Sequence, residues 1–511
     1  MPWLGAVVSG VLLALCYPPF DQGWLAWIAL TPLLCAVWFG KARPAALGYL
    51  AGVVFFTAVF SWLSTLGTLY RNPGLHLLPL VLALYMGLYF AFWAWFVARL
   101  ASGGFLRSAR NLGVGALGAC AWVAHEWVRG WLFSGFGWNN LGVALHRDLP
   151  MIQIVDLTGV AGLSWLVAFC NLMAVIVVRR IVAEFGPVFL KRIRWEFSAT
   201  MALVVLVFGY GVRVLLRPEA TPGVPLHIAA IQPNVPQTEK FDPAHEAEIF
   251  ATFGKLTGLA ALAQPPPQLV LWPEASTPRG MFEDDVNFDF VMSQARRGDF
   301  GLLIGTLDFD PARREDYNVA ALLTARGERQ QIYRKMHLVP FGEYLPLRPI
   351  FEPVLGQLVR ADFAPGREFT LLTLEEPPVK LAALICFEDT LGDLTRRFVA
   401  GGAQLLVNLT NDGWFLRSAA AEQQLANAVF RAVENRRPLV RCGNTGVTCD
   451  VDRTGRVNRW LDKFEEGFAV REISVQTNPG TTFFTRYGDF LSPASALVVI
   501  AGCLKAARNR R

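Results

Sequence analysis

In Leu381-Ala-Ala-Leu-Ile-Cys386-Phe-Glu-Asp389, an apolar run ends on a single cysteine followed by an aromatic and two acids. The run has the length of a buried strand that stops abruptly, which leaves the Cys386 sulfur at a turn where a substrate can reach it. A cysteine in that place is either an inert core residue or a nucleophile whose thiolate attacks an electrophilic carbon. Leu269-Val-Leu-Trp-Pro-Glu274 repeats the pattern with a carboxylate in the terminal position. Held rigidly behind Trp272-Pro273 beside low-dielectric surroundings, Glu274 is the candidate general base, with a proton affinity raised towards working pH. The alternative is a solvated loop glutamate, the commoner fate of that residue type.

Tyr333-Arg-Lys335-Met-His-Leu-Val-Pro-Phe-Gly-Glu343-Tyr344 adds a cation and a second carboxylate on a loop punctuated by Pro and Gly. A charged Lys335 would stabilise the oxyanion of a tetrahedral intermediate, a task worth about 3 to 4 kcal/mol per donor; otherwise it is a surface lysine. Glu343 either holds that lysine or is its structural salt-bridge partner. His337 invites a Cys-His dyad, but between Met336 and Leu338 it is equally a packed histidine.

The elements that must position these groups fall into two parts. A chain of 511 residues with 53% apolar content and a mean hydropathy of +0.36 is too apolar for two soluble domains, so a membrane protein is expected. Seven apolar segments precede residue 217, namely Leu4 to Tyr17, Trp24 to Phe39, Ala45 to Tyr70, His76 to Val97, Leu112 to Trp131, Val160 to Val178 and Thr200 to Leu216. The first two are short for a hydrocarbon core that takes about 20 helical residues. Lys41, Arg43, Arg107, Arg110, Arg179, Arg180, Lys191, Arg192 and Arg194 fall in alternate loops, which places those loops and the N-terminus in the cytoplasm. Phe490 to Leu504, followed by Lys505, Arg508, Arg510 and Arg511, reads as an eighth span that returns the C-terminus to the same side. The domain plan is therefore 1–217 transmembrane, 218–225 linker, 226–486 soluble, and 487–511 a last helix with a cytoplasmic tail.

Most ionisable residues lie in the soluble part, so the formal charge of +6 carries no nucleic-acid signal. Short apolar runs at Ile228 to Ile231, Leu269 to Trp272, Leu302 to Ile304, Leu381 to Ile385 and Leu405 to Leu409 predict strands buried on both faces. They alternate with helix-like stretches at Glu246 to Ala263 and Ala419 to Arg436, which indicates an α/β sandwich. The eight cysteines show no metal-ligand spacing. Cys442 and Cys449 could face each other across a Gly-Asn-Thr-Gly turn, but nothing in the sequence fixes the geometry of a disulfide, and with Cys386 the odd count leaves at least one thiol of the soluble part free. The charged side chains His125, Glu126 and Arg129 near the end of the fifth segment either bind lipid headgroups or pair among themselves. Phe133 to Asn140, which includes Phe136 and Trp138, is a lid, a membrane-dipping arm or an interfacial anchor.

Trp-Pro-Glu274, Tyr-x-Lys335-x-His-Leu-Val-Pro-Phe-Gly-Glu343-Tyr344 and Ile-Cys386-Phe-Glu388 resemble the Glu-Lys-Cys triad of the nitrilase superfamily. Their order, the membrane flanks, Gln232-Pro-Asn-Val-Pro-Gln237 and Asn408-Leu-Thr-Asn-Asp-Gly-Trp-Phe415 are similar to the apolipoprotein N-acyltransferase family of Gram-negative bacteria over essentially the whole chain. Phe387 departs from the tyrosine that many members carry after the nucleophile, while its backbone N–H remains available as an oxyanion donor.

The resemblance implies an α-β-β-α nitrilase-like domain in the periplasm, tethered to the bacterial inner membrane. It also implies transfer of a fatty acyl chain from a glycerophospholipid, typically phosphatidylethanolamine, to the α-amino group of a diacylglyceryl-modified cysteine in an apolipoprotein. No metal or cofactor is called for. Cys386, Glu274 and Lys335 would be the nucleophile, base and oxyanion stabiliser, supported by Phe387, Glu343 and Glu388, with Tyr344, Asn411 and Trp414 as candidate substrate contacts. A membrane-tethered amidase that passes its thioester to water uses the same triad and gains nothing from a bilayer. A transporter is the reading from another class, and no span pairs acidic residues deep in its apolar run.

Overall fold

The computed structural model describes residues 1–511 apart from 102–103, 105–106, 184–188, 218–222, 283, 325–329, 357–361 and 509–511. The expected 218–225 linker therefore lies largely outside the described residues, as does the end of the basic C-terminal tail. The chain forms two compact units, Met1–Arg217 with Tyr487–Arg511, and Pro218–Arg486.

The first unit is helical. Pro73–Leu100, Val155–Val182 and Trp195–Leu215 are long and apolar enough to cross a membrane. A fourth crossing is added if Pro44–Val59 and Ser61–Leu69, bent by 57° at Phe60, count as one span. That bend breaks the continuous segment expected over residues 45–70. Pro2–Leu15, Gly23–Phe39 and Leu491–Leu504 are apolar but shorter. Within Gly23–Phe39 the helix is interrupted, and Asn171 satisfies the freed backbone groups: its Oδ1 accepts from Leu30 N at 2.9 Å and its Nδ2 donates to Ala26 O at 2.8 Å. A break at membrane depth requires such internal partners. Helices Pro44–Val59 and Leu78–Leu100 cross closely, because a Cβ on Gly52 would lie 2.9 Å from the Cα of Gly87.

Helix Ser108–Arg129 is not among the spanning candidates, and its C-terminal end carries buried His125, Glu126 and Arg129. Glu126 Oε1 accepts from Trp122 Nε1 at 2.8 Å and from Leu141 N at 2.6 Å, and Arg129 Nη2 donates to Asn140 Oδ1 at 2.6 Å. These charges clamp the following loop to the helix. The loop's aromatics divide accordingly: Trp138 is buried, stacked on Phe136 and packed against Trp62, each at 5.6 Å, which corrects the reading of Trp138 as an interfacial anchor. Trp131 and Phe133 are the exposed ones.

Among the described residues, the second unit contains twelve strands in two six-stranded sheets. The first sheet is built from β1 (Val224–Gln232), β2 (Leu269–Trp272), β3 (Gly301–Asp310), β4 (Glu315–Leu323), β5 (Gln330–Arg334) and β12 (Gly467–Val475). The second comprises β6 (Leu372–Leu374), β7 (Val379–Ile385), β8 (Leu405–Thr410), β9 (Leu439–Gly443), β10 (Thr448–Val451) and β11 (Val457–Leu461). Their orders are β12-β1-β2-β3-β4-β5 and β11-β10-β9-β8-β7-β6. In each sheet three strands run parallel, β1-β2-β3 and β7-β8-β9, with antiparallel strands on both sides. Five of the six parallel strands hold the apolar runs expected from the sequence, β9 being the one not expected, and β2 and β8 are buried along their entire length.

Helices Glu246–Ala261 and Asp285–Gly298 cover the first sheet with Ile249, Phe253, Leu256, Val291 and Met292. Trp272 anchors that layer, stacked on Phe253 at 4.3 Å with its Nε1 donating to Thr257 Oγ1 at 3.1 Å. Gly392–Ala400 and Ala420–Asn435 are the helices that accompany the second sheet. Between the sheets the Cys442 thiol donates to Ile231 O at 3.4 Å and Leu271 O at 3.5 Å. Cys442 and Cys449 are both free and buried. The β9–β10 register sets Cys449 opposite Arg441, so the two cysteines do not face each other across the turn.

Candidate active site

The candidate base, cation and nucleophile all sit where a strand ends. Pro273 stops β2 because it has no N–H for the ladder, and Glu274 follows at the start of a turn held by Ser276, whose N donates to Gly305 O at 2.7 Å and whose Oγ donates to Pro273 O at 2.6 Å. A Cβ on Gly305 would lie 2.6 Å from Glu274 Cα, so this turn packs directly on β3 only because residue 305 is glycine. Lys335 follows β5, its N donating to Asn318 O at 2.8 Å and its carbonyl accepting from Gly366 N at 2.7 Å.

These two residues meet around a shared cluster. Lys335 Nζ lies 2.7 Å from Glu343 Oε2 and 3.7 Å from Glu274 Oε1. Asn318 Nδ2 bridges the same carboxylates, donating to Glu274 Oε1 at 2.8 Å and Glu343 Oε1 at 2.9 Å. The other oxygen of Glu274 accepts from the backbone N of Asn411 at 3.0 Å. Burial acts to lower the proton affinity of Lys335, but Glu343 and Glu274 outweigh it and leave the ammonium firmly protonated. Burial raises the proton affinity of Glu274; Lys335 opposes this and Glu343 adds to it. Those are the directions required of a permanent cation and a base.

Cys386 follows β7 at φ +51°, a left-handed conformation that costs a non-glycine residue about 1 kcal/mol or more. It opens the short turn Cys386–Thr390, whose Glu388 folds back into the protein. Glu388 Oε2 accepts from Ile385 N at 2.8 Å, and Oε1 accepts from Tyr333 Oη, Met336 N and His337 N at 2.9, 2.9 and 3.0 Å. One carboxylate thus ties the nucleophile turn to the lysine loop, and burial pushes its pKa up to about 7. The Cys386 carbonyl accepts from Asn408 Nδ2 and Gln424 Nε2, both at 2.9 Å. With that edge of the planar peptide fixed, the Phe387 N–H on the opposite edge has a fixed direction too. Burial raises the Cys386 thiol well above its ordinary range; the charge of Glu274 adds to the effect and that of Lys335 opposes it. The sulfur is therefore a resting thiol that needs a base.

Of the remaining candidates, Glu343 also accepts from Val339 N at 2.8 Å and closes the lysine loop. Tyr344 lies at the end of that loop, its carbonyl accepting from Phe341 N at 2.8 Å. The Asn411 side chain is engaged with Gln237 Oε1 at 2.7 Å and Asn444 Nδ2 at 3.0 Å, and Trp414 lies on the turn Asp412–Phe415 just beyond. Among the described residues His337 makes no hydrogen bond to Cys386 and its Nε2 has no partner, while its ring lies against Phe387 at 5.7 Å, which argues against the Cys-His dyad.

Sequence reasoning missed Asn318, Lys240 and Arg441. Lys240 Nζ donates to Glu274 O at 2.9 Å. Arg441, fully buried on β9, spans the floor of the site: Nη1 donates to Asp389 Oδ2 at 2.5 Å and Asn408 Oδ1 at 3.2 Å, and Nη2 to Asp412 Oδ2 at 3.0 Å. Arg441→Met is expected to destabilise the second unit by about 3–5 kcal/mol, because two buried carboxylates lose their counter-ion. Chemical denaturation of the purified variant measures this.

A buried glutamate, a lysine and an elbow cysteine at strand ends of two facing sheets define a nitrilase-type domain. Residues 227–478 match the family described as carbon-nitrogen hydrolase, and residues 9–173 match the apolipoprotein N-acyltransferase N-terminal domain. The apolipoprotein N-acyltransferase of Geobacter metallireducens is 36% identical over 98% of this chain and 94% of its own. That of Methylococcus capsulatus is 31% identical over 99% and 96%. Among solved structures, a carbon-nitrogen hydrolase from Helicobacter pylori is 17% identical, covering 49% of this chain and 89% of its own with a TM-score of 0.38. The chain belongs to the apolipoprotein N-acyltransferase family, and with its apolar helices it is a membrane protein.

Proposed function

We propose that this enzyme transfers a fatty acyl chain from a glycerophospholipid, typically phosphatidylethanolamine, to the N-terminal α-amino group of a diacylglyceryl-modified apolipoprotein, by way of a thioester on Cys386. Glu274 takes the thiol proton as sulfur attacks the ester carbonyl, and the oxyanion develops against the Lys335 ammonium and the Phe387 N–H. Collapse breaks the ester C–O bond; the leaving alkoxide receives the proton from Glu274 and departs as lysophospholipid. The lipoprotein amine then attacks the thioester, Glu274 accepts a proton from the nitrogen, and the C–S bond breaks as that proton returns to sulfur. An amide and a free thiol result. Glu343 and Asn318 hold Lys335 and Glu274 in register, and Glu388 holds the elbow.

The observation that carries this reading is the pairing on one chain of a nucleophile-base-cation cleft with an apolar helical unit matching the N-terminal domain of acyltransferases. Both proposed substrates are lipids, so a thiol tethered to a bilayer reaches them where a soluble enzyme does not. In this reading residues 1–217 and 487–511 are the membrane domain and 226–486 the catalytic domain. The protein sits in the inner membrane with that domain in the periplasm and both termini in the cytoplasm. The placement of Lys41, Arg43, Arg107, Arg110, Arg179 and Arg180 in alternate loops supports the orientation.

Mass spectrometry of the purified protein incubated with phospholipid tests the function. A fatty-acyl adduct is expected on Cys386, stable in buffer and discharged by a diacylated lipopeptide with a free amine. Loss of the adduct in buffer alone, with indifference to the lipopeptide, overturns the transferase in favour of a hydrolase. The rate of adduct formation is expected to fall on the acid side at a pH above the 4.5 of an ordinary glutamate, because Glu274 must be ionised to act and its proton affinity is raised.

A further inference from the structure

The second unit contains a buried ammonium that the mechanism above does not use. Lys240 lies on the loop that leaves β1, its backbone N bonded to Pro236 O at 3.1 Å, and the residue is only 4% exposed. Lys335, Lys255 and Lys463 each pair with a carboxylate, at 2.7, 2.9 and 3.0 Å. Among the described residues no carboxylate forms an ion pair with Lys240, and its one hydrogen bond is to the main-chain oxygen of Glu274, at 2.9 Å. A buried cation with no carboxylate in contact is unfavourable for folding, so an ion pair does not account for its place.

We propose that Lys240 is a positioning residue of the acyl-transfer site: it fixes the Glu274 turn through the Glu274 carbonyl, and its positive charge favours the ionised state of the cleft in which sulfur attacks. The inference rests on the function proposed above. The turn carrying the base is strained, with Ala275 at φ +48°, and Ser276 fastens it only on the β3 side. Lys240 fastens it from the β1 side. The same loop reaches Glu274 a second way, through Gln237, which accepts from the side chain of Asn411, whose own N–H binds the Glu274 carboxylate.

The charge of Lys240 is coupled to both Glu274 and Cys386. The other charged groups facing that pair are Lys335 from the end of β5, Glu343 from its loop and Asp412 from the turn after β8. Lys335 is the cation already committed to two carboxylates. Lys240 supplies the second, and although burial lowers its pKa to about 8, it still carries its charge at neutral pH.

The test compares full-length wild type, K240M and K240R in detergent micelles, reading two pH profiles by peptide mass: acyl adduct formation on Cys386 from phosphatidylethanolamine, and alkylation of Cys386 by iodoacetamide. K240M is expected to slow adduct formation about tenfold at pH 7 and to move the acid limb of both profiles, which follows ionisation of the Glu274 base while Lys240 is still charged, upward by about one pH unit, since removing a nearby cation disfavours the carboxylate. K240R is expected to hold both profiles at the wild-type position. Profiles unshifted in K240M overturn the proposal, whatever the rate, as does an equal shift in K240R. If wild type forms no adduct while the alkylation profile still shifts in K240M alone, the acyltransferase reading falls and the electrostatic role of Lys240 stands.

Discussion

Cys386→Ala is expected to abolish acyl transfer, with a loss of at least about 10⁴-fold, because no neighbouring group can replace sulfur as the atom that carries the acyl chain. The fold should survive. Alanine at φ +51° inherits the same backbone strain, and the turn is held through main-chain atoms, by Glu388 on Ile385 N and by Asn408 and Gln424 on the carbonyl of residue 386. Incubation with phospholipid and lipopeptide should yield neither adduct nor lysophospholipid, while the thermal transition stays near that of wild type. Substantial turnover by this variant would remove the covalent mechanism.

Lys335→Met is expected to fail on two counts. Catalysis should fall by about 10²–10³-fold through loss of the oxyanion's principal cation. Stability should fall by about 3–5 kcal/mol, because buried Glu274 and half-buried Glu343 are left bridged by Asn318 without their shared ammonium. The two carboxylates would relieve their repulsion by sharing one proton, which removes the ionised base as well. Lys335→Arg separates the effects: it restores charge and much of the stability, but a planar guanidinium does not fit a site built for a compact ammonium, so activity stays low. Denaturation curves and single-turnover rates on the two variants make the distinction.

The legible part of this protein was the set of strand ends. Residues 269–272 of β2, 381–385 of β7 and 405–407 of β8 are apolar and buried on both faces, so a polar residue that follows such a run is conspicuous. Glu274 and Cys386 were visible for that reason, and Lys335 through the Pro- and Gly-marked loop that follows it. Lys240 was invisible because Thr-Glu-Lys-Phe-Asp reads as a solvated turn; only the path of the loop buries it. Asn318 sits on β4, whose first half is polar, and the amide's place between two carboxylates comes from residues 44 and 25 positions away. Arg441 lies inside the short run Leu439-Val-Arg-Cys-Gly, where a single charge weakens the strand signal instead of announcing a buried ion pair. The helical unit was harder to divide into spans, because hydropathy marks apolar length and is blind to the bend at Phe60 or the break that Asn171 repairs.

The cleft holds two carboxylates, Glu274 and Glu343, and two ammonium groups, Lys335 and Lys240. In the proposed mechanism the proton passes from sulfur to Glu274 and onward to the departing oxygen, which changes where charge lies without altering its total. No ion has to follow from the bulk phase at any stage. An interior whose total charge stays constant through the cycle can remain dry while an acyl chain occupies it, and a thioester shielded from water would last until an amine arrives.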